Sequence, residues 1–267
     1  MELASVLWLL ALGGGVGFIA GLMGVGGGML IVPFMAMILA STDFPKDLIV
    51  HVAIATSLAT IMFTSMSSIW AHHRHGAVKW PIVKIMAPGI LLGSWIGPWI
   101  GQQLSDSSLA LFFSLFATIV ATEMLVGKKP TATRELPGSI AMLSVGGVIG
   151  ILSGLIGAGG GFLSVPFMTS CNVKINNAVA TSAALGLPIA IAGTLSNVFQ
   201  GQGFPGLPLG SLGFVYMPGL VAVSAASVLT APLGARAAHR VQHRTLKMLF
   251  SIMLYALAAY MMWRACI

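Results

Sequence analysis

The sequence predicts an all-α polytopic membrane protein made of two inverted repeats of about five helical segments each. The first two segments of each repeat are expected to form a glycine-tipped hairpin. Composition, duplication and charge placement lead to this reading. Of the 267 residues, 57% are hydrophobic and 7% charged, and the mean hydropathy is +0.96. A soluble domain carries about 25% charged residues, so this chain has too few to cover a surface facing water. Its expected surroundings are a lipid bilayer. Thirteen basic and six acidic residues are too few for a nucleic-acid face, and no nucleic-acid partner is expected.

The duplication can be read from the letters. Residues 17–35, GFIAGLMGVGGGMLIVPFM, align with residues 150–168, GILSGLIGAGGGFLSVPFM, and twelve of the nineteen positions are identical. Gly13, Gly17 and Gly21 recur as Gly146, Gly150 and Gly154. The ATS of 55–57 returns at 180–182, Pro88-Gly89 as Pro218-Gly219, and SLALFFS (108–114) as TLKMLFS (245–251). The chain therefore divides into a first repeat, 1–127, a cytoplasmic linker, 128–136, and a second, inverted repeat, 137–267. Such internal symmetry is common among transporters.

In order, the first repeat offers apolar segments at about 3–23, 28–40, 52–71, 81–102 and 108–126. The leader Met1-Glu2 has no basic residue, so 3–23 reads as a retained helix rather than a signal peptide. The second repeat offers about 138–157, 161–171, 178–199, 211–235 and 245–264. The second segment of each repeat is the unusual one. Thirteen residues make a helix of about 20 Å, against a hydrocarbon core of about 30 Å. Segments one and two are therefore expected to pair, with their glycine tip inside the membrane.

Charge placement sets the orientation. With five segments per repeat, HHRHGAVK (72–79), KKPTATRE (128–135), Lys174 and the run from Arg236 to Lys247 share one face. The other face holds Glu2, STDFPKD (41–47), Asp106 and the uncharged 201–210. The positive-inside rule makes the first face cytoplasmic. Equivalent loops of the two repeats then carry opposite charge character, as inversion requires, and both termini are expected on the outer side of the membrane.

The tips carry the candidate site. Backbone inside hydrocarbon must be hydrogen-bonded or must line a polar cavity. Gly26, Gly27 and Gly28 precede one short helix, and Gly159, Gly160 and Gly161 precede the other. A helix start presents free N–H groups and positive dipole, which suits an anion without any lysine. Inversion brings both starts to one centre, a place for a small tetrahedral or pyramidal oxyanion. Packing alone accounts for the four-spaced glycines of 13–21, 93–101 and 146–154. It does not account for consecutive triplets, which break a helix at about 1 kcal/mol per glycine.

Thr56, Ser57, Thr181 and Ser182 form a second duplicated pair whose hydroxyls can bond either an anion or a backbone carbonyl. Asn176, Asn177 and Asn197 are further candidates, with capping or interhelical bonding as the plainer role. His51 stands where the second repeat has Asn176, so the two half-sites need not be equivalent.

No cofactor or metal is expected. His72, His73 and His75 sit in a basic loop without a carboxylate or thiol cluster. Cys171 and Cys266 suggest no disulfide framework. Glu123, the acidic residue within a span, is near a helix end where snorkelling serves it.

The two G-x-x-G-x-G-G-G…VP blocks, the ATS segments, HHRHGAVKW (72–80), LGFVYMPGL (212–220) and PLGARAAHRVQHRTLKMLF (232–250) resemble the sulfite exporter TauE/SafE family of membrane permeases. The resemblance covers nearly the whole chain. It implies movement of small organic or inorganic anions, commonly sulfite, sulfonates or sulfoacetate, across a bacterial inner membrane. It leaves the individual anion and the oligomeric state, homo-oligomer included, open. A passive anion channel would share the glycine site without alternating its access. A membrane-embedded enzyme would need a nucleophile, acid–base pair or metal set at one depth, and the sequence shows none.

Overall fold

The computed structural model describes residues 3–23, 28–42, 44–74, 76–126, 135–238 and 243–266. Gly26 and Gly27, together with most of the linker, lie outside the described residues. Among the described residues, ten α-helices follow one another: α1 (Leu3–Met23), α2 (Gly28–Ala40), α3 (Ile49–Arg74), α4 (Trp80–Gln102) and α5 (Asp106–Val126), then α6 (Ser139–Ile156), α7 (Gly161–Ser170), α8 (Ile175–Gln200), α9 (Met217–Ala238) and α10 (His243–Ala265). Within α3, α4, α5, α6, α8 and α10, the described residues include stretches long and apolar enough to cross a membrane. The fold is an all-α polytopic membrane fold. α2 and α7, at 13 and 10 residues, are about 20 and 15 Å long, short of a full crossing.

One segment begins later than its apolar run suggests. Residues 211–216 form a two-stranded antiparallel ladder, β1 (Ser211–Leu212) with β2 (Val215–Tyr216), and the helix starts only at Met217. Gly213, at φ +56, makes the reversal between the strands. Pro218 then occupies the first turn of α9, where a missing N–H costs no helical bond.

The eight long helices take their main partners from the other half of the chain: α1 lies along α9, α4 along α6, α3 along α8 and α5 along α10, whereas α2 and α7 pack chiefly on α3 and α8 of their own halves. Glycine makes two of these pairs. A Cβ added at Gly93 would land on the Gly147 carbonyl, and one at Gly150 would stand 2.5 Å from the Ile90 carbonyl oxygen. At Gly146 the obstacle is Met86 O at 2.6 Å, and at Gly13 it is Val223 O, also at 2.6 Å. Backbone thus packs directly on backbone, the close approach that small residues permit in membranes. α5 and α10 are tied instead by Ser114 Oγ, which donates to Ala258 O at 2.8 Å, and by the Thr122–Tyr255 hydroxyl pair at 2.7 Å.

The core surrounds α2 and the first half of α3, where Leu30, Val32, Met35, Val52, Ala55 and Leu58 are fully enclosed. The outside is apolar too, with Leu92, Ile119, Ile140 and Leu229 all exposed. Trp8, Trp70, Trp80, Trp99 and Trp263 are exposed near helix ends, the arrangement of an interfacial aromatic belt.

Candidate functional site

The tip of the second hairpin is built by two left-handed glycines. α6 ends at Gly157, φ +68, whose N–H returns to the Ser153 carbonyl. Ala158 N bonds the same oxygen at 3.1 Å. Gly160, φ +71, then caps α7, its carbonyl receiving Leu163 N at 3.1 Å and Ser164 N at 2.9 Å. These turns need positive φ, which glycine adopts without strain. The amides of Gly161 and Phe162 are left as first-turn donors with no acceptor inside the helix. Gly157, Ala158, Gly160 and Gly161 are buried, and Gly159 is half-buried.

Gly28, the first residue of α2, meets this tip. A Cβ on it would stand 2.8 Å from the Gly157 carbonyl oxygen and 3.1 Å from Ala158 Cα. Ser57 fastens the contact: its Oγ donates to Gly157 O at 2.8 Å and lies 3.3 Å from Gly28 O. The start of one short helix and the tip before the other are thus brought together. Ser182, in the matching position of α8, accepts from Ser164 Oγ at 2.7 Å; that hydroxyl is also 3.0 Å from Gly160 O.

The two threonines do the same task for opposite halves. Thr56 Oγ1 accepts the N–H of Tyr216, just before α9, at 3.0 Å. Thr181 Oγ1 accepts the N–H of Lys79, just before α4, at 2.9 Å. Each therefore holds the entry of the fourth helix of the other half. Asn177 Nδ2 adds a bond to Ala77 O at 2.8 Å, while Asn176 is exposed at the start of α8. Asn197 Nδ2 returns to Gly193 O at 2.8 Å, and its carbonyl receives Gly201 N and Phe214 N. The head of α8 thus lies beside the tail of α3, and the head of α3 beside the loop that leaves α8. The two helices run antiparallel.

The sequence reading missed Ser153. Its hydroxyl is fully buried, has no partner among the described residues, and stands 3.2 Å from where a Gly160 Cβ would be. Nothing in the letters distinguishes it from any other serine in an apolar helix.

His51 stands apart from the tips, at the head of α3, six residues and about 9 Å of helix before Ser57. Its Nδ1 is 3.2 Å from Asp106 Oδ1 and its Nε2 is 3.3 Å from Gly101 O. The same Asp106 oxygen receives Val50 N at 2.7 Å and His51 N at 3.3 Å, capping α3 from a neighbouring helix. Arg264 Nη2 reaches Asp106 Oδ2 at 3.2 Å and Lys46 O at 3.1 Å. Asp106, placed by the sequence reading in a water-facing loop, is in fact about 90% buried at the first turn of α5. Beneath His51 lies a narrow crevice lined in part by Gln102, Leu109, Gly154, Leu155 and Asn197. It has room for about one water, far less than a sulfonate needs.

Among the described residues, no three His, Cys, Asp or Glu side chains gather as a metal cage. His73 is engaged by Trp80, whose Nε1 donates to its Nδ1 at 3.3 Å.

Comparison with known proteins adds a family. The model of the sulfite exporter TauE/SafE family matches residues 9–261. The chain is 36% identical to a "Probable membrane transporter protein" of Haemophilus influenzae over 257 residues, covering 96% of this chain and 97% of that one. Proteins of the same description show 27% identity in Bacillus subtilis, over 74% of this chain and 80% of the relative, and 25% in Methanocaldococcus jannaschii, over 92% and 91%. No solved structure matches the chain at a significant level.

Proposed function

The chain belongs to the sulfite exporter TauE/SafE family, and on that premise we propose that this multi-pass membrane transporter moves small anions at a site between its two glycine-tipped helix starts. The cargo class is the sulfur oxyanions, sulfite, sulfonates or sulfoacetate among them, and the membrane is the bacterial inner membrane. The observation that carries the site is the contact of Gly28 with Gly157 and Ala158. It gathers the ends of two helices at one buried point. Each helix start supplies about half a positive charge and unbonded amides, and Ser153 adds a buried hydroxyl without a partner among the described residues. Together these suit one negative charge better than a dianion stripped of water.

Alternating access fits the exchange of helix partners between halves. The reciprocal Thr56–Tyr216 and Thr181–Lys79 bonds and the antiparallel α3 and α8 support an inverted two-fold relation between the repeats 1–127 and 137–267. The distribution of basic loops supports a cytoplasmic linker and periplasmic termini.

A thermal-shift series on the purified protein tests the cargo class, with sulfite, sulfoacetate, taurine, sulfate and matched carboxylates. A ligand at a hundred times its Kd stabilises by about 2.7 kcal/mol, which is several degrees in a chain of this size. At least one sulfur oxyanion is expected to exceed its carboxylate analogue. If no anion shifts the transition, the proposed cargo class falls.

A further inference from the structure

We infer that His51 is a proton-binding latch on one face of the protein, and that loss of its proton opens the crevice leading from that face to the glycine tips. The donors and acceptors around the imidazole point to it. Both ring nitrogens face oxygen acceptors, Asp106 Oδ1 at 3.2 Å and the Gly101 carbonyl at 3.3 Å. A neutral imidazole carries one N–H and an imidazolium carries two. Only the protonated ring fills both bonds.

Those two bonds join three helices. Gly101 belongs to the last turn of α4, Asp106 to the first turn of α5, and His51 to the head of α3. Arg264 extends the clasp, linking the same carboxylate on α5 to the end of α10 and to the backbone of Lys46. The charged groups facing His51 are Asp106 from α5 and, through that carboxylate, Arg264 from α10. The short turn Lys46–Leu48 adds Lys46 and Asp47, both exposed. Toward His51, α4, α6, α8 and the 211–216 ladder present uncharged groups, namely Gln102, Gly154, Leu155, Asn197 and Phe214, whose ring centroid is 6.0 Å from the imidazole.

A ring that loses its Nε2 proton keeps the bond to Asp106, whose carboxylate also holds Val50 N, and gives up the bond to Gly101, so α4 loses its tie to the head of α3. The crevice lies between these elements and reaches Gly154 and Leu155, the last turn of α6 before the Gly157 turn. Among the described residues, the second half has no such device at the matching position, where Asn176 is exposed and carries no ionisable group. The latch is therefore confined to one face. Its purpose rests on the proposed anion site at the tips, but its existence does not.

Accessibility tests it without any cargo. In full-length protein with Cys171 and Cys266 replaced by serine, a single cysteine is placed at Leu155, in the crevice, or at Leu209, 99% exposed on the same face. Each is reacted with a membrane-impermeant thiosulfonate from pH 5.5 to 8, the range in which histidine ordinarily changes charge. The Leu155→Cys rate divided by the Leu209→Cys rate is expected to rise about tenfold, the size of one hydrogen bond to a charged group. His51→Gln should flatten the profile, and Asp106→Asn should hold the ratio high at every pH. A ratio that does not vary with pH overturns the latch, and so does an unchanged profile in His51→Gln. If the ratio swings while no anion binds, the cargo site falls and the latch stands; the reverse result removes the latch alone.

Discussion

Among the described residues, a methyl group at Gly159 would meet only Ile61 Cγ2, at 3.6 Å, whereas one at Gly160 would stand 2.5 Å from Ile189 Cδ1 on a backbone of φ +71. These neighbours therefore answer different questions. Gly160→Ala is expected to cost about 1–3 kcal/mol through its left-handed backbone alone, whether or not an anion binds there. Gly159→Ala should leave the melting temperature near wild type and lower anion affinity by tenfold or more; unchanged affinity in isothermal titration would count against close approach of the ligand at this tip. Ser153 gives a second separation. A buried hydroxyl without a partner contributes nothing to folding that an apolar group would not. Ser153→Ala should thus keep or raise thermal stability while weakening anion binding, and equal binding would remove the hydroxyl from the site. The glycine triplets were legible because three successive helix breakers at matching places in a duplicated sequence call for a reason. The Asp106–His51–Arg264 cluster was not, since its members lie 55 and 158 residues apart on three helices. Two clues did exist: an aspartate opening an apolar helix, and an arginine on the face with few basic residues.

At the scale of elements, the letters placed the short helices well: 28–40 and 161–171 against Gly28–Ala40 and Gly161–Ser170. Length and the flanking glycines fixed them. The ladder at 211–216 escaped because Ser-Leu-Gly-Phe-Val-Tyr is apolar enough to be absorbed into the helix behind it, and hydropathy carries no sign of a two-residue turn. The four-spaced glycines sit where a partner helix comes close, and their unspaced neighbour does not. Gly93 and Gly150 have carbonyl oxygens of the partner helix where a Cβ would go, while Gly15, outside the four-spaced series, has nothing within 4 Å among the described residues. Gly93→Ala and Gly150→Ala should therefore each destabilise by about 1–3 kcal/mol by overpacking, read as a lower melting temperature in detergent. Gly15→Ala should stabilise α1 by up to about 1 kcal/mol. Equal effects at all three would mean that α4 and α6 are held by something other than backbone contact.

For the whole molecule, the two halves are bound into one body by the pairs α1–α9 and α4–α6, whose contacts are backbone on backbone. Between the tips and α3 the contacts are mixed: Ser57 and Ile61 reach the tip through side chains, and Gly157 lies against the backbone of Ile54. Movement that changes access would keep the first set and rearrange the second. The antiparallel course of α3 and α8 puts the end of α3 and the loop after α8 on opposite faces. His73 and Leu209, both exposed, mark those faces. In cells, His73→Cys should resist an impermeant thiol reagent until the membrane is permeabilised, while Leu209→Cys should react at once. Labelling of both from outside would overturn the inverted arrangement. That orientation also frames the test of carrier against channel. A carrier must return its site across the membrane, and the return is faster with cargo on the far side. Proteoliposomes preloaded with sulfite or a sulfonate should then take up labelled anion several times faster than empty ones, with saturating flux. Linear flux that ignores the internal anion would make the tips a filter in a passive pore, with the same glycines and no alternation.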